Sequence, residues 1–133
     1  MVNRVEKLSL LSEMIAFAKT ENELKPIEYN FLLGVARQLD ITQADFDYLI
    51  NHPATYIPLK SHSERIVQFH RLILLMNISN DITRAKLIKI HNFGLRMGLN
   101  HDAINKVLDL MNSFPNKIVP PDVLIDIFKT QYN

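Results

Sequence analysis

The sequence predicts an all-α protein, an orthogonal bundle of about seven helices, and three observations support this fold class. Glycine occurs only three times in 133 residues, so there are few points of exceptional backbone freedom. No stretch alternates polar and apolar residues with the period of a β-strand. Apolar residues instead recur every three or four positions, the spacing that gives a helix one buried face.

The first two helices have clear starting points. Asn3 is a suitable N-cap for a helix over about 4–19, because its side chain can accept from a backbone N–H of the first turn. A second helix begins at Pro26, whose missing N–H would be unpaired at that position, and ends near Asp40. The residues expected to be buried are Val5, Leu8, Leu11, Ile15 and Ala18, then Ile27, Phe31 and Val35, with Leu32 and Leu39 as further candidates.

A short helix and a loop follow. Thr42 caps a third helix through about Ile50. In the loop over 51–60, Pro53 and Pro58 disfavour helix and bias the residue before each towards extended backbone. The loop also contains several large apolar side chains, so we expect it to pack across the surface of the protein.

The next two helices form the middle of the chain. Ser61 and Glu64 have the spacing of a capping box and open a fourth helix through about Asn77. This helix is apolar on nearly every side, which is typical of a helix in the centre of a bundle. Asp81 or Thr83 begins a fifth helix, which runs to about residue 97.

The last part of the chain is expected to contain two further helices. Asn100 caps a sixth helix, and a turn over 114–121 leads into a final helix over about 121–131. The apolar residues of the final helix cover more than one face. Either they close the open end of the bundle, or some are left exposed for a protein partner. The candidate partner-binding residues are Val123, Ile127 and Phe128.

The spacing of apolar residues and turns also predicts an internal repeat, with a shift of 58 residues. This shift places the corner at residues 39–42 on the corner at 97–100, and Asn22 on Asn80, without a gap. Two related units are therefore expected, over about 4–50 and 62–112, each with a long helix, a turn, a second long helix, a corner and a short helix. We expect the two units to share one core in a single domain over 1–133.

The turn and the corner of each unit carry a family resemblance. The first turn reads Ala18-Lys19-Thr20-Glu21-Asn22-Glu23-Leu24-Lys25-Pro26-Ile27-Glu28, and the first corner reads Leu39-Asp40-Ile41-Thr42. The second copy reads Asn77-Ile78-Ser79-Asn80-Asp81-Ile82-Thr83, then Met97-Gly98-Leu99. These segments resemble the TerB-like family of tellurite-resistance-type helical domains, in which a first helix ends in a pattern like Ala-Lys-Ala-Asp-Gly. The resemblance covers about residues 8–112.

Asn22 and Asn80 stand where this family has glycine. That position is expected to end a helix in the left-handed conformation, which asparagine adopts more readily than most residues. The resemblance further implies a cytoplasmic protein linked to tellurite or other stress responses, acting as a module within a larger assembly.

The resemblance also implies an alternative function in cation binding. In the family, an acidic residue of the turn and a glutamate of the next helix are suspected of holding a hard cation, which prefers several oxygen ligands. The first copy offers Glu21, Glu23 and Glu28, whereas the second has Ser79 and Lys86 at the two acidic positions. The other interpretation is that these glutamates are solvated carboxylates near a helix N-terminus.

A basic patch lies on the fifth helix. On a helical wheel Lys86, Lys89 and Arg96 share one arc, and a helix-turn-helix interpretation would make the sixth helix a DNA-recognition element. Lys89 and Arg96 are the candidate nucleic-acid contacts. Asp102 and Asp109 on the sixth helix would repel phosphates, and the formal net charge of the chain is only +1. Nucleic acid is therefore not the expected partner.

Several other kinds of chemistry have no motif in this sequence. Without cysteine there is no disulfide, thiolate metal site or cysteine nucleophile. The five histidines lack zinc-ligand spacing, and there is no glycine-rich phosphate loop or Gly-x-Ser-x-Gly motif. The most apolar stretch, over 66–76, is far shorter than the ~20 residues that a membrane span needs.

The sequence therefore predicts a cytoplasmic, non-enzymatic protein-interaction module that needs no cofactor. A divalent-cation sensor that uses the turn carboxylates is the alternative, and a DNA-binding domain is a weaker one. A protein partner is expected and a homo-oligomer is left open.

Overall fold

The computed structural model describes residues 2–21, 23–80 and 82–131, with side chains up to Lys129. This part of the chain is all-helical and contains no β-strand. Asn22 and Asp81, to which the sequence assigned a left-handed turn and a helix cap, lie outside the described residues. The helices are α1 (Arg4–Ala18), α2 (Pro26–Gln38), α3 (Gln43–Asn51), α4 (His62–Ile78), α5 (Arg84–Arg96), α6 (His101–Leu110) and α7 (Pro121–Gln131), with short 3-10 turns at Met111–Ser113 and Pro115–Lys117.

Most helix starts follow from local side-chain chemistry. Asn3, Thr42, Ser61 and Asn100 each accept a hydrogen bond from the backbone N–H three residues later, at 2.8–3.2 Å, which confirms the four predicted caps. Thr83 does the same for α5 at 3.1 Å, so this residue is the cap of that helix. Each such bond satisfies one of the N–H groups that a helix start leaves unpaired.

Contacts between Cα atoms divide the chain into two compact units, residues 1–59 and 60–133. In the first unit, α1, α2 and α3 all pack against one another. In the second, α4 packs against α5 and α7, and α6 packs against α5 and α7. Each unit therefore begins with two long helices followed by a shorter one, and the second continues into α7.

The buried faces of α1 and α2 differ from the sequence prediction at their first turns. Val5 and Ile27 are exposed, whereas Glu6 and Glu28 beside them are buried. Val5 lies roughly 120° around α1 from the buried Leu11, and Ile27 a similar angle around α2 from Leu32. A three- or four-residue spacing tolerates this drift over a few turns, so the predicted burial was wrong for the first member of each stripe, whereas Ala18 and Val35 at the other ends are buried as predicted.

Two serines of α1 hold the loop over 52–60 in place. The Oγ of Ser12 accepts from the N–H of Ala54 at 2.9 Å, and the Oγ of Ser9 accepts from the N–H of Ile57 at 2.8 Å. Leu59, at the end of the loop, is buried. The prediction that this loop packs on the protein is confirmed. No sequence pattern had indicated a role for the two serines.

In the second unit, the middle of α4 is buried as predicted, although Val67 remains exposed. α5 and α6 approach each other closely at Gly94. A Cβ built there would lie 2.6 Å from Cδ1 of Ile104 and 3.1 Å from Cε1 of Phe69. Glycine at this position therefore lets the two helices pack together.

The two corners have the same backbone geometry. Asp40 has φ 60° and Gly98 has φ 80°, both in the left-handed region. The N–H of Ile41 donates to the carbonyl of Ala36 at 2.9 Å, and the N–H of Leu99 donates to the carbonyl of Gly94 at 3.0 Å. This bond closes a helix end in the Schellman motif. Asn80 has φ 51°, which confirms the left-handed conformation predicted there.

Candidate functional site

The structure does not gather the predicted turn carboxylates into a cluster. Glu21 and Glu23 are exposed, whereas Glu28 is only 2% exposed. Oε1 of Glu28 accepts from the N–H of Lys25 at 2.9 Å, so this carboxylate helps to cap its own helix. Among the described residues, no group of three or more His, Cys, Asp or Glu side chains is arranged to hold a metal ion.

The second turn has a different chemistry. The Oγ of Ser79 donates to the carbonyl of Met76 at 2.9 Å. Lys86 is only 4% exposed, so it does not belong to a solvated basic arc with Lys89 and Arg96, as the helical wheel had suggested. A wheel gives the angle of a residue around its helix but not which angles the neighbouring helices cover.

The predicted partner-binding residues of α7 lie mainly in the core. Phe128 is 0% exposed and meets Phe69 edge to face, with ring centroids 5.8 Å apart. Ile127 is also buried, and Val123 is half-buried. Ile127 and Phe128 therefore cannot form a docking surface while α7 stays packed. The exposed apolar residue of this helix is Ile125.

A shallow groove lies between α5 and α6, open to solvent along its length. We call it the α5–α6 groove, and its lining consists of Arg84, Leu87, Ile88, His91, Asn92, Asn105 and Leu108. The floor is mainly apolar, and Arg84 is the permanently charged residue among those that line it. Ile88 is 51% exposed here, and Leu95, seven residues along α5, is 43% exposed. Ile88 is part of the groove lining, and Leu95 lies on the same face of α5 about 10 Å further along, with His91 and Asn92 between them. We call these two apolar side chains the apolar stripe.

Two cations flank this stripe. Lys89 and Arg96 are both exposed and follow Ile88 and Leu95 by one residue each, so they lie roughly 100° around the helix from the stripe. Nζ of Lys89 lies 5.8 Å from the ring centroid of Phe93, and Cζ of Arg96 lies 5.0 Å from it. Both distances are within the range of a cation–π interaction. The structure thus brings Lys89 and Arg96, which the sequence pattern paired as basic residues, to the same ring of Phe93. No pattern in the sequence indicated this contact with Phe93.

Two histidines from different helices meet at the groove. The rings of His91 and His101 are 4.9 Å apart at an interplanar angle of 86°. Nε2 of His91 is buried and has no hydrogen-bond partner in the described part of the chain. Nδ1 of His101 lies 3.4 Å from Nδ2 of Asn105 and 3.6 Å from Oδ1 of Asp102. Sequence spacing could not reveal this pair, because the corner between α5 and α6 creates it.

The acidic residues of α3 have structural partners. Asp45 pairs with Arg4 at 2.7 Å, and Asp47 accepts from the hydroxyl of Tyr29 at 2.6 Å. The hydrogen bond to Asp47 is the main reason that the pKa of Tyr29 lies above its ordinary value. These contacts connect α3 to α1 and α2 at the surface, so both carboxylates have a structural role.

The near-neutral net charge conceals two oppositely charged halves. Residues 1–59 contain five basic and eight acidic residues, whereas residues 60–133 contain ten basic and six acidic residues. The helix α5 alone carries four basic residues and no acidic one. The α5–α6 groove therefore belongs to the basic half of the chain.

Comparisons with known proteins gave no match. A scan against protein-family models, a search of curated proteins and a search of solved structures were all negative. In the described residues, no helix is long and apolar enough to cross a membrane.

Proposed function

We propose that this chain is a non-enzymatic protein-interaction module that binds its partner along α5 and the α5–α6 groove. The observation that carries this proposal is the apolar stripe of Ile88 and Leu95, which are 51% and 43% exposed beside an open, largely apolar groove. Exposed apolar side chains beside a groove with a polar and charged rim are characteristic of interaction surfaces.

The energetics favour a partner for this surface. Covering a large aliphatic side chain that is otherwise exposed contributes up to about 1.5–3 kcal/mol. The apolar stripe offers two such side chains. The groove adds Leu87 and Leu108, which are half-buried already, so a docked helix would gain most from the stripe. Ile27 and Ile125 are exposed elsewhere on the described part of the chain and are not in the lining of this groove.

The proposal extends to the architecture and setting that the family resemblance implies. We propose two related units in an orthogonal, TerB-like bundle, acting in the cytoplasm in a stress-related assembly. The matching left-handed corners at Asp40 and Gly98, each followed by the same backbone hydrogen bond, support the relationship between the units. Their chain positions differ by the predicted 58 residues.

A selection experiment tests the docking surface. A library of displayed helical peptides is enriched on the purified chain, and the enriched peptides are then measured against Ile88→Asp and Ile27→Asp. The two isoleucines are a matched pair, since each is 51% exposed near the start of a second helix. Thermal unfolding verifies that both variants fold.

We expect Ile88→Asp to weaken the enriched peptides by at least about tenfold, equivalent to 1.4 kcal/mol, and Ile27→Asp to leave them unchanged. Enriched peptides that tolerate Ile88→Asp would refute this docking surface. A selection that yields no specific binder would also count against it.

A further inference from the structure

We infer that the partner docks an acidic amphipathic helix on α5, with apolar residues on the stripe and carboxylates against Lys89 and Arg96. This inference rests on the proposed function and adds the chemistry of the partner. The first support for this inference is the positive charge of the surface. The helix that bears the stripe has three exposed basic residues, Arg84, Lys89 and Arg96, and no acidic one, and Arg84 stands in the lining of the groove itself.

The second support for this inference is the spacing of the charges along α5. Ile88 and Leu95 are seven residues apart, and so are Lys89 and Arg96, so each pair spans about 10 Å along the helix axis. A helix laid beside α5 repeats its own side chains over the same distance. One face of such a helix can thus place two apolar residues on the stripe while an adjacent edge places two carboxylates opposite the cations.

The third support for this inference is the contact of both cations with the Phe93 ring. Lys89 and Arg96 both lie over this ring, at 5.8 and 5.0 Å, and Phe93 itself is buried. A cation that already rests on an aromatic face has fewer side-chain conformations to lose when it meets a carboxylate. Preorganisation of this kind improves binding because it reduces the entropy cost of association.

The apolar stripe favours an acidic protein over nucleic acid. A phosphate backbone has no group that would cover Ile88 or Leu95, whereas an amphipathic helix covers both. Shape and charge together therefore favour a helix that is apolar on one face and acidic at its edge.

A charge-swap experiment tests the inference. The probe is a synthetic peptide of about 18 residues, long enough to form a helix in part, with leucines along one face and glutamates beside them. A second peptide has lysine at every glutamate position. Both are titrated against the wild-type chain, against Lys89→Glu/Arg96→Glu, and against the control Lys60→Glu/Lys129→Glu, whose exposed lysines lie off α5.

We expect the acidic peptide to bind the wild type and the control, and to lose at least about tenfold in affinity on Lys89→Glu/Arg96→Glu. The lysine peptide should show the reverse preference. Binding of the acidic peptide should also weaken as salt rises, because salt screens exposed charges.

Three outcomes would overturn the inference. The lysine peptide could bind the wild type as well as the acidic one, the charge reversal could leave both affinities unchanged, or a labelled DNA duplex could bind more tightly than either peptide. If the peptide library nevertheless selects non-acidic helices that depend on Ile88, the docking surface stands and only its charge preference fails.

Discussion

The ring of Phe128 in α7 meets the ring of Phe69 in α4 edge to face, with centroids 5.8 Å apart and both side chains fully buried. Aromatic pairs favour this edge-to-face arrangement because the positive ring edge meets the negative ring face. The contact joins the final helix to the central helix of the second unit. It also makes α7 part of the core of that unit rather than a free arm.

Phe128→Ala should therefore destabilise the protein strongly. Removing a buried phenylalanine costs about 3–5 kcal/mol, from lost burial and the cavity that remains. Urea unfolding followed by circular dichroism measures this change, with the exposed Ile125→Ala as the matched control on the same helix. A loss below about 1 kcal/mol for Phe128→Ala would contradict the packing described here.

Ser9→Ala and Ser12→Ala should loosen the loop over 52–60. Each substitution removes the acceptor of a loop N–H, on Ile57 or Ala54, and an unsatisfied buried donor costs about 1–3 kcal/mol. Hydrogen exchange should be faster at the affected amide than in the wild type. The exposed Ser113→Ala should change neither amide, and equal protection in all three variants would show that the serines do not hold the loop.

His70 should make stability depend on pH. Its Nε2 donates to the carbonyl of Val119 at 3.1 Å. Burial lowers the pKa of His70 below its ordinary 6.5, the hydrogen bond to Val119 partly offsets this shift by raising the pKa, and the charge of Arg71 lowers it further. The folded state thus favours the neutral ring. The stabilising contribution is present above the unfolded-state pKa and is lost as pH falls through 6.5 towards the lower folded-state pKa.

The comparison with His70→Gln isolates this effect, because glutamine can still donate to Val119 but does not titrate. The free energy of unfolding of the wild type, measured between about pH 8 and pH 5, should fall more steeply than that of the variant. Parallel curves would mean that His70 makes no contribution to the pH dependence.

Millimolar Ca²⁺ or Mg²⁺ should leave the unfolding midpoint unchanged. Glu28 caps α2 through the N–H of Lys25, and the described carboxylates do not gather into a metal-binding group. A cation that bound only the folded state would raise the midpoint by mass action. A clear rise in the midpoint that Glu28→Gln abolishes would instead support the cation-sensor hypothesis. The first turn would then be a cation-binding site.

Helix boundaries could be predicted because the chemistry that sets them is local. Asn3, Thr42, Ser61 and Asn100 each bond to a backbone group three residues away, and Pro26 begins α2 as expected. The left-handed conformation of Asn80 follows from the same kind of local preference. None of these features depends on how distant segments pack.

The proposed docking surface on α5 and the α5–α6 groove could be predicted only in part. Lys89 and Arg96 stood out in the sequence as a basic pair, but Phe93 between them, the exposed stripe and the meeting of His91 with His101 depend on the packing of α5 against α6. Ile127 and Phe128, selected as docking residues from the excess of apolar residues on α7, are buried in a helix that packs against α4 and α6, and their docking role stays a prediction.

Local patterns in the sequence were enough to predict the helical class, the caps, the left-handed turn at Asn80 and the basic pair beside the stripe. Tertiary structure alone decided that Val5 and Ile27 face solvent while Lys86 and Phe128 are buried. The physical reason is the range of the interactions involved. A cap or a turn is satisfied within a few residues, whereas burial depends on which neighbouring helix covers a given face, and that neighbour is supplied by a distant part of the chain.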